Sequence, residues 1–135
     1  MKRILLAYRA GESAQRALYA AAQLARAVHA QVGVISVVPL YADRGRGRVA
    51  PWDDQRCHRD DLLEAQRILR ANGIEPVLIE AVGEPAELID QEAQNGEYDT
   101  IVLGGRRKSW LDRVLRGDLA RELVDRAPAK VVVVP

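Results

Sequence analysis

Five short apolar runs punctuate the chain: Ile4 to Tyr8, Val32 to Val38, Pro76 to Val82, Thr100 to Leu103 and Lys130 to Val134. They are rich in Val and Ile and nearly continuous instead of alternating, which is the pattern of strands buried on both faces. Between them, apolar residues recur at three- and four-residue spacing. Ala14, Ala17, Leu18, Ala21, Leu24, Ala25 and Val28 make one stripe of a first helix, whose alanines allow close approach to a sheet. A second helix opens after Asp53-Asp54, presents Leu62, Ala65, Ile68 and Leu69, and stops at the left-handed terminator Asn72-Gly73. A third runs from Pro85 through Ile89 and Ala93 to Asn95-Gly96. Asp118 is the expected N-cap of a fourth, with the stripe Ala120, Leu123, Val124 and Ala127 and a stop at Pro128. Alternation of strand and helix predicts an α/β fold: a five-stranded parallel sheet, order 3-2-1-4-5, with helices on both faces.

Length and composition narrow the picture. At 135 residues the chain makes one domain, residues 1–135. Its 20 basic and 19 acidic residues leave a net charge of +1, so no global field recruits nucleic acid or an anionic membrane. No apolar run approaches the roughly 18 residues needed to span a bilayer, and no cleavage region follows Met1-Lys2-Arg3; a cytoplasmic protein is expected. One Cys excludes an internal disulfide framework, and Cys57, His29 and His58 alone offer no structural zinc site. The segment Pro39 to Trp52, with Arg44, Arg46 and Arg48 separated by Gly45 and Gly47, is longer than ordinary connections and reads as a solvated loop or lid.

In an open parallel sheet, ligands bind past the carboxyl ends of the strands, where the strand order reverses. Here that point lies between the segments after strands 1 and 4, Arg9 to Ser13 and Gly104 to Ser109. Neither closes a Gly-rich turn with Gly-Lys-Ser/Thr, so a phosphate-cradling P-loop is excluded. Gly11 alone does not make a dinucleotide fingerprint. A phospho-receiver is missing its acidic residues, since the ends of strands 1 and 3 carry Arg9 and Val82-Gly83. No Gly-x-Ser-x-Gly elbow occurs, and nothing in the sequence couples a Ser or Cys to a His and a carboxylate. No catalytic residue is assigned.

The ordered pieces of the chain resemble the universal stress protein family over essentially the whole length. Lys2 to Ala7 followed by Glu12 and Arg16-Ala17-Leu18 resembles that family's first strand, loop and helix. Gly83-Glu84-Pro85-Ala86 resembles its Gly-x-Pro-Ala turn, Tyr98 to Arg106 its fourth strand and glycine loop, and Ala127 to Pro135 its closing strand. The resemblance implies a Rossmann-like fold of the adenine-nucleotide-hydrolase kind. It also implies a degenerate nucleotide or anion cleft formed by Arg9, Gly104, Arg106, Arg107, Gly117 and Asp118. Members that bind ATP carry a Gly, two residues, a second Gly, nine residues, and a Gly followed by Ser or Thr. Gly104 and Gly117 match that spacing here, whereas Arg107 replaces the second Gly and Asp118 the Ser or Thr. Arg9 stands where such members usually carry an Asp.

These departures have physical consequences. Arg107 adds bulk where a Gly lets backbone N–H groups approach phosphate. Asp118 satisfies the helix N-terminus with its own carboxylate and sets a negative charge where phosphates sit. At an effective dielectric of about 20 that repulsion is on the order of a few kcal/mol, enough to remove micromolar affinity. In the opposite direction, Arg9, Arg106, Arg107 and Lys108 can neutralise Asp118 and attract an anion.

The family likeness thus implies a stress-response or regulatory protein acting through ligand state or protein contacts, without tight ATP binding, a required cofactor or a fast reaction of its own. Three alternatives stay open: ATP or AMP bound through an altered phosphate loop, an enzyme acting on an anionic substrate with Asp118 as acid or base, and an interaction module whose Pro39 to Trp52 loop docks a protein partner. Trp52 and Trp110 are expected to pack partly buried against the helices. His29 closes the first helix, where it favours the helix dipole, and adjacent Cys57 and His58 point in different directions, against joint metal binding. The run Val131 to Val134 falls at a sheet edge, a hazard unless it pairs or is covered. The resemblance implies a homodimer through that strand.

Overall fold

The computed structural model describes residues 3–8, 12–39, 55–104 and 129–134. Its elements follow in the order β1 (Arg3–Ala7), α1 (Glu12–Val28), β2 (Gln31–Pro39), α2 (Gln55–Ala71), β3 (Val77–Gly83), α3 (Pro85–Asn95), β4 (Thr100–Gly104) and β5 (Lys130–Val134). All strand pairs are parallel, and the sheet order is β3-β2-β1-β4-β5. The predicted fold is therefore observed, with strand ends shifted by at most one residue. The fourth helix, the Pro39 to Trp52 segment beyond Pro39, and Trp110 lie outside the described residues.

The order explains which side each helix takes. From β1 to β2 to β3 the chain steps in one direction, and right-handed crossovers place α1 and α2 on one face. Crossing from β3 to β4 reverses the direction and puts α3 on the other face. Alternate strand residues divide accordingly. Ile4, Leu6, Tyr8, Val32, Val34 and Val102 pack with Ala14, Ala17, Leu18, Ala21 and Ala25 of α1 and Leu62, Ala65 and Leu69 of α2. Leu5, Ala7, Ile35, Val37, Ile101 and Leu103 meet Ala86, Ile89 and Ala93 of α3. The alanine stripe of α1 is fully buried, as close helix-to-sheet packing requires.

Continuous apolar runs predicted burial on both faces for all five strands, and this needs correction at the margins. β1, β2 and β4 are buried, but Val77 and Val82 of β3 and Val133 of β5 are 55 %, 40 % and 41 % exposed. β3 and β5 are the sheet edges, so each has a strand neighbour on one side only. Arg59 of α2 pairs with Glu80 of β3 at 3.3 Å, setting charge beside one of those edges.

The three described helices end alike. Ala30 N–H donates to Ala25 O at 2.9 Å, Ile74 N–H to Leu69 O at 2.9 Å, and Tyr98 N–H to Ala93 O at 2.8 Å. Each bond spans a left-handed residue: His29 at φ 57°, Gly73 at φ 80° and Glu97 at φ 56°. Gly73 thus acts as expected. Gly96 does not occupy the left-handed position of its helix end, since its φ is −90°. Its role is steric. The Tyr98 ring lies over both Gly33 and Gly96, and a Cβ at either would collide with it. Arg3 sits 4.9 Å from the centre of the same ring, a cation–π contact that closes this end of the α3 face. Among the described residues, no helix is long and apolar enough to cross a membrane.

Candidate functional site

The reversal of strand order lies between β1 and β4, which are paired with Ala7 opposite Leu103. Neighbouring strands are about 4.8 Å apart, so the chain leaving β1 after Tyr8 and the chain leaving β4 after Gly104 start from one lip of the sheet. Gly104 is the buried last residue of β4, opposite Val134 of β5. It is the one predicted cleft residue whose place is described. Arg9, Arg106, Arg107, Gly117 and Asp118 lie outside the described residues, although the structure brings together the strand ends that lead to them.

Tyr8 forms the wall beside that lip. Its N–H donates to Ile35 O at 2.9 Å, extending the β1–β2 ladder by one bond. Its side chain is fully buried toward α1 and α2, and its phenol donates to Glu64 Oε1 at 3.0 Å. Gln15 Nε2 donates to the same oxygen at 3.4 Å. Burial pushes the Tyr8 phenol well above its ordinary range, and the bond to Glu64 and the charges of Glu64 and Asp61 push it further. Tyr8 is therefore a neutral hydrogen-bond donor, unsuited to act as a base.

A second polar contact on the same face joins a Ser and a His that no local sequence pattern links. Ser36 Oγ of β2 and His58 Nδ1 of α2 are hydrogen-bonded. Both residues are fully buried. A nucleophile needs room for its substrate, and this hydroxyl has none, so the contact attaches the first turn of α2 to the sheet. The sequence marks each residue singly but not the pairing. Ser36 is the polar residue inside the run Val32 to Val38, and His58 lies one turn before Leu62 on the buried stripe.

At the other end of the sheet, a cavity of about 570 Å³ opens between the last turns of α1 and α2, lined by Ala25, Arg26, His29, Val32, Ile74 and Glu75 among others. It lies at the amino ends of the strands, away from the reversal point, and holds none of the predicted cleft residues. His29 stands on its rim in the left-handed turn that ends α1. Among the described residues, no group of three or more His, Cys, Asp or Glu is placed to hold a metal ion.

Comparison with known proteins agrees with this architecture. The universal stress protein from Archaeoglobus fulgidus in complex with dAMP is 25 % identical, with a TM-score of 0.77 over 100 % of this chain and 98 % of that one. Universal stress protein UspA from Lactobacillus plantarum has a TM-score of 0.79 at 23 % identity, covering 99 % of this chain and 97 % of that one. A universal stress protein family protein from Arabidopsis thaliana with AMP bound has a TM-score of 0.69 at 16 % identity, over 99 % of this chain and 91 % of that one. No curated protein matches the chain. The sequence model of the universal stress protein family matches residues 1–135, the full length read here. With the parallel order β3-β2-β1-β4-β5 and Gly104 at the mouth of β4, that match establishes that the chain belongs to the universal stress protein family.

Proposed function

We propose that this protein is a regulatory member of its family that acts through protein contacts or ligand state and does not bind ATP tightly. The observation that supports the reading is the pairing of β1 with β4, strands that are followed in the sequence by Arg9 and, further along, by Arg107 and Asp118. A carboxylate at position 118 opposes a triphosphate chain, and a side chain at 107 crowds the approach of backbone N–H groups to it. Calorimetric titration with ATP, with and without magnesium, tests this directly. No saturable heat is expected up to about 1 mM, equivalent to less than roughly 4 kcal/mol of binding. A dissociation constant in the low micromolar range would overturn the reading.

A second reading is favoured by the relative from A. fulgidus, whose structure contains dAMP. In it, the cleft takes an adenine monophosphate, with Arg9, Arg106 and Arg107 supplying positive charge and fewer phosphates near Asp118. The same titration with AMP separates the two: saturable AMP binding without ATP binding selects the second. We further propose a cytoplasmic homodimer joined through Val131 to Val134. Support for the pairing comes from the position of β5 at the sheet edge and the exposure of Val133. Sedimentation equilibrium at tens of micromolar protein is expected to report two chains, and a monomer there would set the pairing aside.

A further inference from the structure

The connection from β1 to α1 is bracketed by two side chains that end on one atom. Tyr8, the last described residue before it, and Gln15, in the first turns of α1, both donate to Glu64 Oε1, at 3.0 Å and 3.4 Å. Glu64 belongs to neither element. It comes from α2, 56 positions from Tyr8 along the chain.

We infer that Glu64 is a positioning residue that clamps the end of β1 and the start of α1 to α2, and so fixes the two points between which residues 9–11 are strung.

Three observations support the clamp. The Tyr8 side chain is fully buried, and a buried phenol must find an acceptor. The acceptor stands on a firm rail, because Leu62, Ala65 and Leu69 on either side of it are core residues of α2. The same helix is fastened at its first turn by the Ser36–His58 contact, so α2 is held at two points along its own length by side chains of the neighbouring strands β1 and β2. Gln15 is exposed and its bond is the longer one, which makes Tyr8 the strong arm and Gln15 the weak arm. An anionic acceptor strengthens both bonds relative to a neutral one. The clamp is a property of the chain without ligand, and it holds whether or not a nucleotide enters the neighbouring cleft.

Amide hydrogen exchange on the full chain tests it, with Glu64→Ala, Glu64→Gln and Tyr8→Phe. Glu64→Ala is expected to speed exchange at the Tyr8 amide and at Ala17 in α1 by about tenfold, while Ile79 of β3 and Ile89 of α3 keep their parental rates. Glu64→Gln retains an oxygen acceptor and is expected to stay within about threefold of the parent. Adding Tyr8→Phe to Glu64→Ala should speed exchange no further, since Glu64→Ala has already removed the bond that Tyr8→Phe breaks. A spectroscopic readout accompanies these rates. Tyr8 should ionise at lower pH in Glu64→Ala than in the parent, seen as tyrosinate absorbance. Equal acceleration at all protected amides would reduce Glu64 to a contributor to general stability and overturn the clamp. Unchanged exchange at Tyr8, an unchanged Tyr8 ionisation, or a Glu64→Gln variant as loose as Glu64→Ala would overturn it as well.

Discussion

The two faces of the sheet are built by different means. Against α3, the buried cluster is Leu5, Ala7, Ile35, Val37, Ala86, Ile89, Ile101 and Leu103, with the Tyr98 ring laid over Gly33 at the amino end of the strands. That face is held by shape. Against α1 and α2 the apolar packing is interrupted by polar contacts, Tyr8 to Glu64 and Ser36 to His58, both made by α2. Buried polar groups cost stability when unpaired and fix a unique arrangement when paired. Among the described residues, then, α3 is placed chiefly by contour, with one cation–π contact at its end, whereas α2 is placed by contour and then keyed by hydrogen bonds, one of them at the lip where β1 approaches the candidate cleft.

Removing one key should have the largest effect. His58→Ala leaves the Ser36 hydroxyl buried without this partner and opens a cavity, a loss of about 2–4 kcal/mol in urea unfolding. Ser36→Ala on top of it should recover part of that loss, and a fully additive double variant would show that the contact has no coupling energy. On the shape-built face the corresponding probe is Gly33→Ala, expected to cost about 1–3 kcal/mol because its Cβ meets the Tyr98 ring. Tyr98→Phe removes the nearest atom, the hydroxyl, and should partly restore stability. If Gly33→Ala is neutral by the same unfolding assay, the contour argument for that face fails.

A gentler probe uses pH. Tyr8 has its proton affinity raised by folding, first through burial and then through Glu64. Its contribution is therefore complete below the ordinary tyrosine range near pH 10 and declines as pH rises above it, by up to about 1.4 kcal/mol per pH unit until the folded form also ionises. Tyr8→Phe should flatten the stability profile above pH 10, and an unchanged slope would show that Tyr8 ionises as freely in the fold as out of it. The smallest expected effect lies outside both cores. His29→Gly relieves a left-handed residue at φ 57° and should raise stability by about 0.5–1 kcal/mol, measured as an increased urea midpoint. A loss instead would mean that the His29 side chain contributes at the end of α1.

Much of the apolar scaffold was legible because its signals are local. Spacing at three and four residues located α1, α2 and α3, and runs of Val and Ile located the strands. The edges were less legible, because a continuous run such as Val131 to Val134 looks the same at the centre of a sheet and at its margin. Glu97 shows a second limit: Gly96 invites the left-handed position, yet the packing of Tyr98 claims that glycine for its lack of a side chain. The keyed contacts were illegible for a third reason. Ser36 and His58 are 22 positions apart, and Tyr8 and Glu64 are 56, so neither pair has a local pattern. The location of the candidate site followed from strand order, and its departures at Arg9, Arg107 and Asp118 from likeness to a family motif. Glu64 had no such guide.

The proposed exclusion of ATP from the cleft at the carboxyl ends of β1 and β4 rests on Arg107 and Asp118. Its most direct test is calorimetric titration of ATP with magnesium into the Arg107→Gly, Asp118→Ser double variant beside the parent. No saturable binding is expected for the parent, and a gain of at least about 2 kcal/mol for the variant, a factor of roughly thirty in affinity. Equal affinity in the two proteins, whether tight or absent, would contradict it.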